Sequence, residues 1–145
     1  MSCRTALLTL SALTVLSLPA IASESRAITL ISPPALNWIE TPEGVAFAAL
    51  EGDRQTGSYQ AMVRLPAGIT SPLHVKSANM FGVMVQGEMI HFAEEEGVDN
   101  ALRAGPGAFY KIPKGLAHVS ACVSDVPCIA YLFQDGSFDF LPVSK

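Results

Sequence analysis

The stretch GAFYKIPKGLAH, residues 107–118, has the most regular spacing of Gly, Pro and His in this chain. Its two glycines, its proline and the final His118 follow the pattern G-x5-P-x-G-x2-H. Because Gly and Pro divide a chain into short elements, the pattern predicts one strand at 107–112 and a second at 117–123. His118 then stands near the start of the second strand as a candidate ligand-binding residue.

A second stretch, SPLHVKSANM at 71–80, follows a Pro-Ala-Gly turn and holds His74 and Lys76 two positions apart. A His-x-His pair in this place would indicate a metal site, because imidazoles are good ligands for divalent transition metals. Lysine is an ammonium at neutral pH and repels a cation. The stretch therefore leaves open whether the chain holds a metal, has lost one or binds something else.

Short β-rich runs bounded by Gly, Pro, Asn and Asp fill the chain after residue 23, and no long amphipathic helix stands out. The predicted strands are 28–31, 45–50, 59–65, 80–86, 89–92, 107–112, 117–123, 128–134 and 138–141. Strands spaced by short turns in this way predict an all-β antiparallel sandwich or barrel. We predict one β-domain at 38–145, preceded by an arm at 23–37 that pairs with a neighbour or covers an edge strand.

The first 22 residues have the pattern of a signal peptide. A basic start at 1–4 precedes an uncharged apolar run at 5–18, and the sequence AIA at 20–22 is typical of a cleavage site. The apolar run is shorter than the ~20 residues of a membrane-spanning helix, so a cleaved leader is favoured over an uncleaved anchor. We predict a periplasmic or secreted protein whose mature chain begins at Ser23.

Composition excludes some partners. Half of the 145 residues are apolar and 15% are charged, which argues against disorder. Without the leader, eight Lys and Arg stand against thirteen Asp and Glu, a net charge of −5. No basic face typical of nucleic-acid binding is evident. We therefore expect no nucleic-acid partner, and no membrane contact after the leader is removed.

Two cysteines remain after the leader, Cys122 and Cys128, on either side of the turn-like stretch VSDVP. If the strands 117–123 and 128–134 form a hairpin, the two side chains face each other at bridging distance. We predict a disulfide between them. Two buried free thiols, or a pair of soft metal ligands, are the alternatives.

The stretches 107–118 and 71–80 together resemble the signature motifs of the cupins, which are small jelly-roll β-barrels. Every fixed position of the second cupin motif is present in 107–118. The first motif, G-x5-H-x-H-x3–4-E-x6-G, keeps His74 and both glycines in register, but Lys76 replaces its second His and Met80 its Glu. The resemblance implies a single-domain cupin jelly roll, the double-stranded β-helix.

The likeness is closer still to a subgroup of exported cupin-like proteins of unassigned function. It is carried by LPAG at 65–68 leading to His74, by HVSAC at 118–122 with the later Cys128, and by DGSFDF at 135–140. Such proteins also lack the Glu but usually keep the second His, so Lys76 is a departure of this chain. The resemblance extends from about Trp38 to Pro142.

In a cupin, the histidines and the Glu of the two motifs converge in the barrel and hold Fe, Mn, Ni, Cu or Zn. Carried over to this chain, the resemblance implies His74 and His118 as metal ligands, with His91 on the next strand as the candidate third. Even open catalytic zinc sites use three protein ligands. We therefore expect one divalent transition metal to be bound weakly or not at all.

Lys76 has three interpretations. Its charged end lies at the surface at the barrel mouth, or it binds an anionic ligand with His74 and His118 as hydrogen-bond partners in a metal-free cavity. The third is a desolvated lysine that acts as a general base or forms a Schiff base.

These observations favour an exported small cupin that binds a small anionic molecule in its cavity, beside a degenerate metal site. The alternative is a metal-dependent cupin enzyme, a dioxygenase, isomerase, decarboxylase or lyase, that uses His74 and His118. A third hypothesis is a structural role in which barrel edges form a homodimer. The sequence does not identify catalytic residues and leaves open whether the protein is an enzyme.

Overall fold

In the computed structural model, which describes residues 27–144, strands form where burial alternates along the chain. Tyr59–Leu65 buries its first, third and fifth residues and leaves those between them partly exposed. The same period of two runs through Cys128–Gln134. A strand with one face against a core requires this periodicity. It confirms the predicted all-β class.

Eleven strands lie within the described residues, all in the unit that begins at Ile31. They are β1 (Ile39–Glu40), β2 (Ala46–Gly52), β3 (Tyr59–Leu65), β4 (His74–Val75), β5 (Met80–Gln86), β6 (Met89–Ala93), β7 (Leu102–Ala104), β8 (Phe109–Ile112), β9 (His118–Cys122), β10 (Cys128–Gln134) and β11 (Leu141–Pro142). Single turns of 3-10 helix occur at Pro33–Ala35 and Val98–Asn100. No helix in the described part of the chain is long and apolar enough to cross a membrane.

The strands form two antiparallel sheets. One has six strands in the order β1-β2-β3-β10-β5-β8, and the other has five in the order β11-β4-β9-β6-β7. Strands far apart in the sequence are neighbours in both sheets, as β3 is with β10 and β4 with β9. Such long-range antiparallel pairing is typical of jelly-roll folds.

Two clusters of buried side chains form the core. The first consists of residues of the six-stranded sheet: Phe47, Tyr59, Ala61, Val63, Met80, Ile112 and Leu132. The second combines both sheets: Met84, Cys128 and Ala130 from one, and Met89, Ala104 and Cys122 from the other. The second cluster therefore packs the inner faces of the two sheets against each other.

The predicted disulfide is confirmed: Cys122 and Cys128 are bonded, with their Cα atoms 5.8 Å apart. The premise of that prediction, that the strands carrying the two cysteines pair as a hairpin, is wrong. Cys122 ends β9 in the five-stranded sheet, whereas Cys128 begins β10 in the six-stranded sheet. The bond therefore connects the two sheets instead of two paired strands.

Other strand predictions also need correction. Residues 28–31 form no strand, and the strand predicted at 138–141 is replaced by β11, which begins only at Leu141. Phe138 and Phe140 alternate as in a strand, but their rings line the cavity described below. The strands β1, β4 and β7 were not predicted, because they have two or three residues each and are too short to show an alternation.

The predicted leader, 1–22, lies outside the described residues, as do residues 23–26 of the predicted arm. The described part of the arm, 27–37, is almost entirely exposed and contains the 3-10 turn at Pro33–Ala35. The arm's pairing with a neighbour stays a prediction.

Candidate functional site

A cavity of about 780 Å³ lies between the two sheets, lined by side chains from both. Most of its wall is apolar, with aromatic rings from Phe47, Tyr59, Tyr110, Phe138 and Phe140. Its polar lining includes His74, Lys76, His91 and Ser120. Most of the candidate site residues from the sequence thus contribute to one cavity.

His74 and His118 are brought together by the pairing of β4 with β9, in which they are direct partners. Their ring centroids lie 4.2 Å apart. Phe140 stacks on the ring of His74, at 4.0 Å and an interplanar angle of 18°. Both histidines are buried, with 4% and 2% of their surface exposed. His118 is not part of the cavity lining but packs against His74, which is.

Backbone carbonyls fix the protonation of both rings. Nδ1 of His74 lies 2.9 Å from the carbonyl oxygen of Pro72, and Nδ1 of His118 lies 2.9 Å from that of Leu116. Because a carbonyl oxygen only accepts, Nδ1 carries the proton in each ring and Nε2 carries a lone pair when the ring is neutral. Burial lowers the pKa of His74 to about 4 and also lowers the pKa of His118. Both imidazoles are therefore neutral at pH 7.

Lys76 is buried, with 6% of its surface exposed, so the interpretation that it lies at the surface is wrong. Its Nζ donates a hydrogen bond to the carbonyl oxygen of Asp139. The same atom lies 4.5 Å from the ring centroid of Phe138 and 5.7 Å from that of Phe140. Burial lowers the pKa of Lys76 to about 8, against the opposing effect of the Asp139 charge, so the ammonium form predominates at pH 7.

The carboxylate of Asp139 forms its hydrogen bonds with a group other than the ammonium of Lys76. It accepts hydrogen bonds from the backbone N–H of Ser77, at 3.0 and 3.2 Å. The ion pair found within residues 27–144 joins Arg103 to Glu88, away from the cavity lining. Within the same residues, Lys76 has no carboxylate at ion-pair distance.

His91, the candidate third ligand, lines the cavity as well, and 8% of it is exposed. Its Nδ1 lies 2.9 Å from Oγ of Ser120, and its ring lies 4.4 Å from that of Tyr110. Burial, assisted by the nearby His118, lowers the pKa of His91 to about 4. Nε2 of His91 and Nε2 of His118 are buried without a hydrogen-bond partner in the described chain.

Four features of the site were not predicted from the sequence: Ser120, Asp139 and the covering role of Phe138 and Phe140. Asp139, Phe138 and Phe140 belong to the ending DGSFDF at 135–140. The sequence analysis identified this ending only through the family resemblance and assigned it no contact with the site. In this structure the ammonium of Lys76 donates to the carbonyl oxygen of Asp139 and lies over the two phenylalanine rings, contacts that no spacing rule predicts.

The donor set does not fit the metal that cupin motifs imply. Metal-binding histidines usually donate their second ring N–H to a carbonyl or carboxylate, and His74 and His118 do so. Within residues 27–144, however, no three His, Cys, Asp or Glu side chains lie close enough together to hold a metal ion. An ammonium, that of Lys76, occupies the place of the next ligand in the motif. Two imidazoles beside a cation make a poor site for a divalent metal.

Comparison with known proteins gives one family match and several structural ones. Residues 19–143 match the family described as "Domain of unknown function (DUF4437)". No match is found among curated protein sequences.

Solved structures of the same architecture are numerous. The polyketide cyclase RemF from Streptomyces resistomycificus superposes with a TM-score of 0.65 at 14% identity, covering 82% of this chain and 87% of that one. An RmlC-like cupin from Shewanella frigidimarina gives a TM-score of 0.61 at 12% identity, covering 78% and 95%. The cupin domain of Schizosaccharomyces pombe Cnp3 gives 0.58 at 18% identity, covering 73% and 68%. At such identities the likeness shows the fold alone, and it confirms the predicted cupin jelly roll.

Proposed function

The chain belongs to the DUF4437 family, with the fold of the cupin superfamily, and we propose that it binds a small anionic molecule in the cavity between its sheets. The observation that carries this proposal is the buried ammonium of Lys76, which has no carboxylate partner at ion-pair distance in residues 27–144. The Asp139 charge compensates the ammonium only in part, because burial still lowers the pKa of Lys76 to about 8. A buried charge without an ionic partner at close range costs several kcal/mol. An anionic group on a ligand would offset that cost.

The cavity wall indicates the rest of the ligand. A volume of about 780 Å³ lies within the range of about 300–1,000 Å³ that small-molecule sites occupy. The rings of Phe47, Phe138 and Phe140 and the side chains of Leu132 and Met80 present apolar surface. The proposed ligand therefore combines an apolar body with one anionic group.

Substitution of Lys76 tests the proposal. With benzoate as the probe, calorimetric titration at pH 7 is expected to show at least tenfold weaker binding to Lys76→Met than to the native protein. Lys111→Met is the matched control, because Lys111 also lies over a phenylalanine ring, that of Phe81 at 5.4 Å, but is exposed and outside the cavity lining. Equal affinity of the native and Lys76→Met proteins would refute the proposal.

A metal-dependent cupin enzyme is the second candidate, supported by the carbonyl-anchored Nδ1 atoms of His74 and His118. Elemental analysis separates the two functions. We expect far less than one metal ion per chain in the native protein and a gain toward one in Lys76→His, which restores the His-x-His pair. Stoichiometric metal in the native protein would favour the enzyme.

We also propose export. The buried bond between Cys122 and Cys128 supports an oxidising compartment. The pattern at 1–22 is typical of a signal peptide, which would direct the chain to secretion. The mass of the protein recovered from the periplasm or the medium is expected to correspond to a chain beginning at Ser23.

A further inference from the structure

The ring of His74 is held in one orientation from three sides. Phe140 stacks on it at 4.0 Å, and the ring of His118 lies 4.2 Å away, tilted by 50°. Nδ1 is fixed by the carbonyl oxygen of Pro72 at 2.9 Å, with Oγ of Ser71 at 3.4 Å. A ring flip would turn Nδ1 away from both oxygens. The position of Nε2 is therefore set by the fold.

Nε2 of His74 is an acceptor that the described chain leaves unused. All hydrogen bonds of this ring to residues 27–144 involve Nδ1, and the side chain lines the cavity. In the neutral ring, Nε2 has a lone pair and no proton, so it cannot donate to a carboxylate. The partner that suits it is a hydroxyl or N–H group. The expectation that His74 helps to bind the anionic group itself is therefore not supported by its hydrogen bonding.

Lys76 offers the opposite chemistry two positions along the chain. Its ammonium only donates, and it shares a neighbour with His74, since Phe140 contacts both groups. Alternate residues of an extended chain lie ~7 Å apart. The residues that carry the acceptor and the cation are thus separated by about the length of one small molecule, and both side chains line the cavity.

We infer that the ligand is a hydroxy acid with an apolar body, whose hydroxyl donates to Nε2 of His74 and whose carboxylate meets the ammonium of Lys76. This inference rests on the proposed function, because it assigns a second group to the same ligand. The aromatic wall favours a ring as the frame between the two groups.

Matched aromatic acids test the inference. The probes are 3- and 4-hydroxybenzoate, their methyl ethers 3- and 4-methoxybenzoate, and benzoate, each titrated calorimetrically into the native protein at pH 7. The methyl ethers keep the oxygen but lack the donated proton. At least one hydroxy acid is expected to bind tenfold or more tightly than both its own ether and benzoate. Equal affinities for every hydroxy acid and its ether would overturn the inference.

Two kinds of variant separate this inference from the proposed function. His74→Phe keeps a ring against Phe140 but has no acceptor, so the preference for the hydroxy acid over its ether should disappear. His74→Gln has an amide oxygen that accepts, and it should recover part of the preference. Lys76→Met should weaken all the acids by a similar factor and preserve the ratio between hydroxy acid and ether.

The outcomes are distinguishable. A preference that survives in His74→Phe overturns the assignment to His74 while leaving Lys76 as the anion partner. Acids that bind Lys76→Met as tightly as the native protein overturn the proposed function. Absence of binding by all five acids contradicts both. Thermal unfolding of each variant verifies that the comparison is made on folded protein.

Discussion

His91 combines three properties that make it sensitive to acid. It is buried, its Nε2 has no partner in the described chain, and its neighbours Ser120, Tyr110 and His118 carry no negative charge at neutral pH. Within residues 27–144, no carboxylate forms an ion pair or a hydrogen bond with the ring that would compensate an imidazolium. The folded state therefore keeps His91 neutral down to a pH at which an unfolded chain has already protonated it.

Protonation of His91 should destabilise the protein at mildly acidic pH. Its pKa is about 4 in the folded state, against 6.5 for an unperturbed imidazole, so the unfolded chain binds more protons between these values. Stability then falls as the pH drops from about 6.5 toward 4. We expect urea unfolding to show a loss of roughly 1–2 kcal/mol from this residue between pH 7 and pH 5, with His74 acting in the same direction.

The variant His91→Phe provides the control for that measurement. It removes the titrating nitrogen and keeps an aromatic ring of similar size against Tyr110. Its free energy of unfolding should change less between pH 7 and pH 5 than that of the native protein. An identical pH dependence in the two proteins would contradict the assignment to His91.

Gly82 is required by the ring of Tyr110. A Cβ atom at Gly82 would lie 2.1 Å from Cζ of Tyr110, its direct neighbour across the β5–β8 pair. Gly82→Ala should therefore displace that ring, at a cost of about 1–3 kcal/mol in unfolding free energy. Gly105→Ala is the control, since nothing lies within 4 Å of its added Cβ, and the same unfolding measurement should change by less than ~0.5 kcal/mol. A Gly82→Ala protein as stable as the control would contradict the argument.

The alternation of buried and more exposed residues decided which strands the sequence could predict. β3, β5 and β10 have the bounds that the sequence predicts, because each is seven residues long and buries alternate residues on one face. β4 has two residues, and its register against β9 depends on a strand over 40 positions away. A pattern along one segment cannot contain that information.

The segment 135–140 shows a second limit of prediction from the sequence, because an alternating pattern there does not correspond to a strand. Its residues bind to several distant groups: Asp135 accepts a hydrogen bond from the backbone N–H of Asn79 at 2.8 Å, and the N–H of Phe138 donates to the carbonyl oxygen of Arg54 at 2.7 Å. These contacts hold it as a connecting segment without a strand partner until Leu141. The alternation of phenylalanines predicted a strand because it also occurs when rings cover a cavity.

Loss of the disulfide, which links β9 to β10, should lower the free energy of unfolding. The bond closes a loop with a sequence separation of 6, for which the lost chain entropy corresponds to about 2 kcal/mol. Both sulfur-bearing side chains are also buried, at 1% and 0% exposure. We expect a Cys122→Ala/Cys128→Ala double variant to lose at least about 2 kcal/mol in denaturant unfolding.

Reductant gives an independent check on the same bond. Dithiothreitol should lower the midpoint of the native protein toward that of the double variant and leave the variant unchanged. Native protein should yield no alkylated cysteine at these positions before reduction. Two alkylatable thiols in freshly isolated protein would contradict the bond.

For the whole molecule, the motifs predicted the fold more fully than the site. The spacing of residues 107–118 and the glycines around His74 predicted a cupin jelly roll. Such a prediction is possible because turns and strand lengths depend on residues that are close together in the sequence. The motifs also predicted that His74 and Lys76 share a cavity, whereas His118 packs against His74 and is not part of the cavity lining. The protonation of the rings and the hydrogen bond from Lys76 to the carbonyl oxygen of Asp139 did not follow from the motifs, because each depends on contacts with backbone atoms that the motif spacing does not specify. The same holds for the absence, within residues 27–144, of a carboxylate at ion-pair distance from Lys76.

The bond between Cys122 and Cys128 determines how the two sheets can separate. It fixes the end of β9 to the start of β10, while the opposite ends of these strands, at His118 and Gln134, have no covalent link to each other. We therefore expect any widening of the cavity to move β9 and β10 least at this bond. The largest displacement is expected at the end of β9 where His118 pairs with His74.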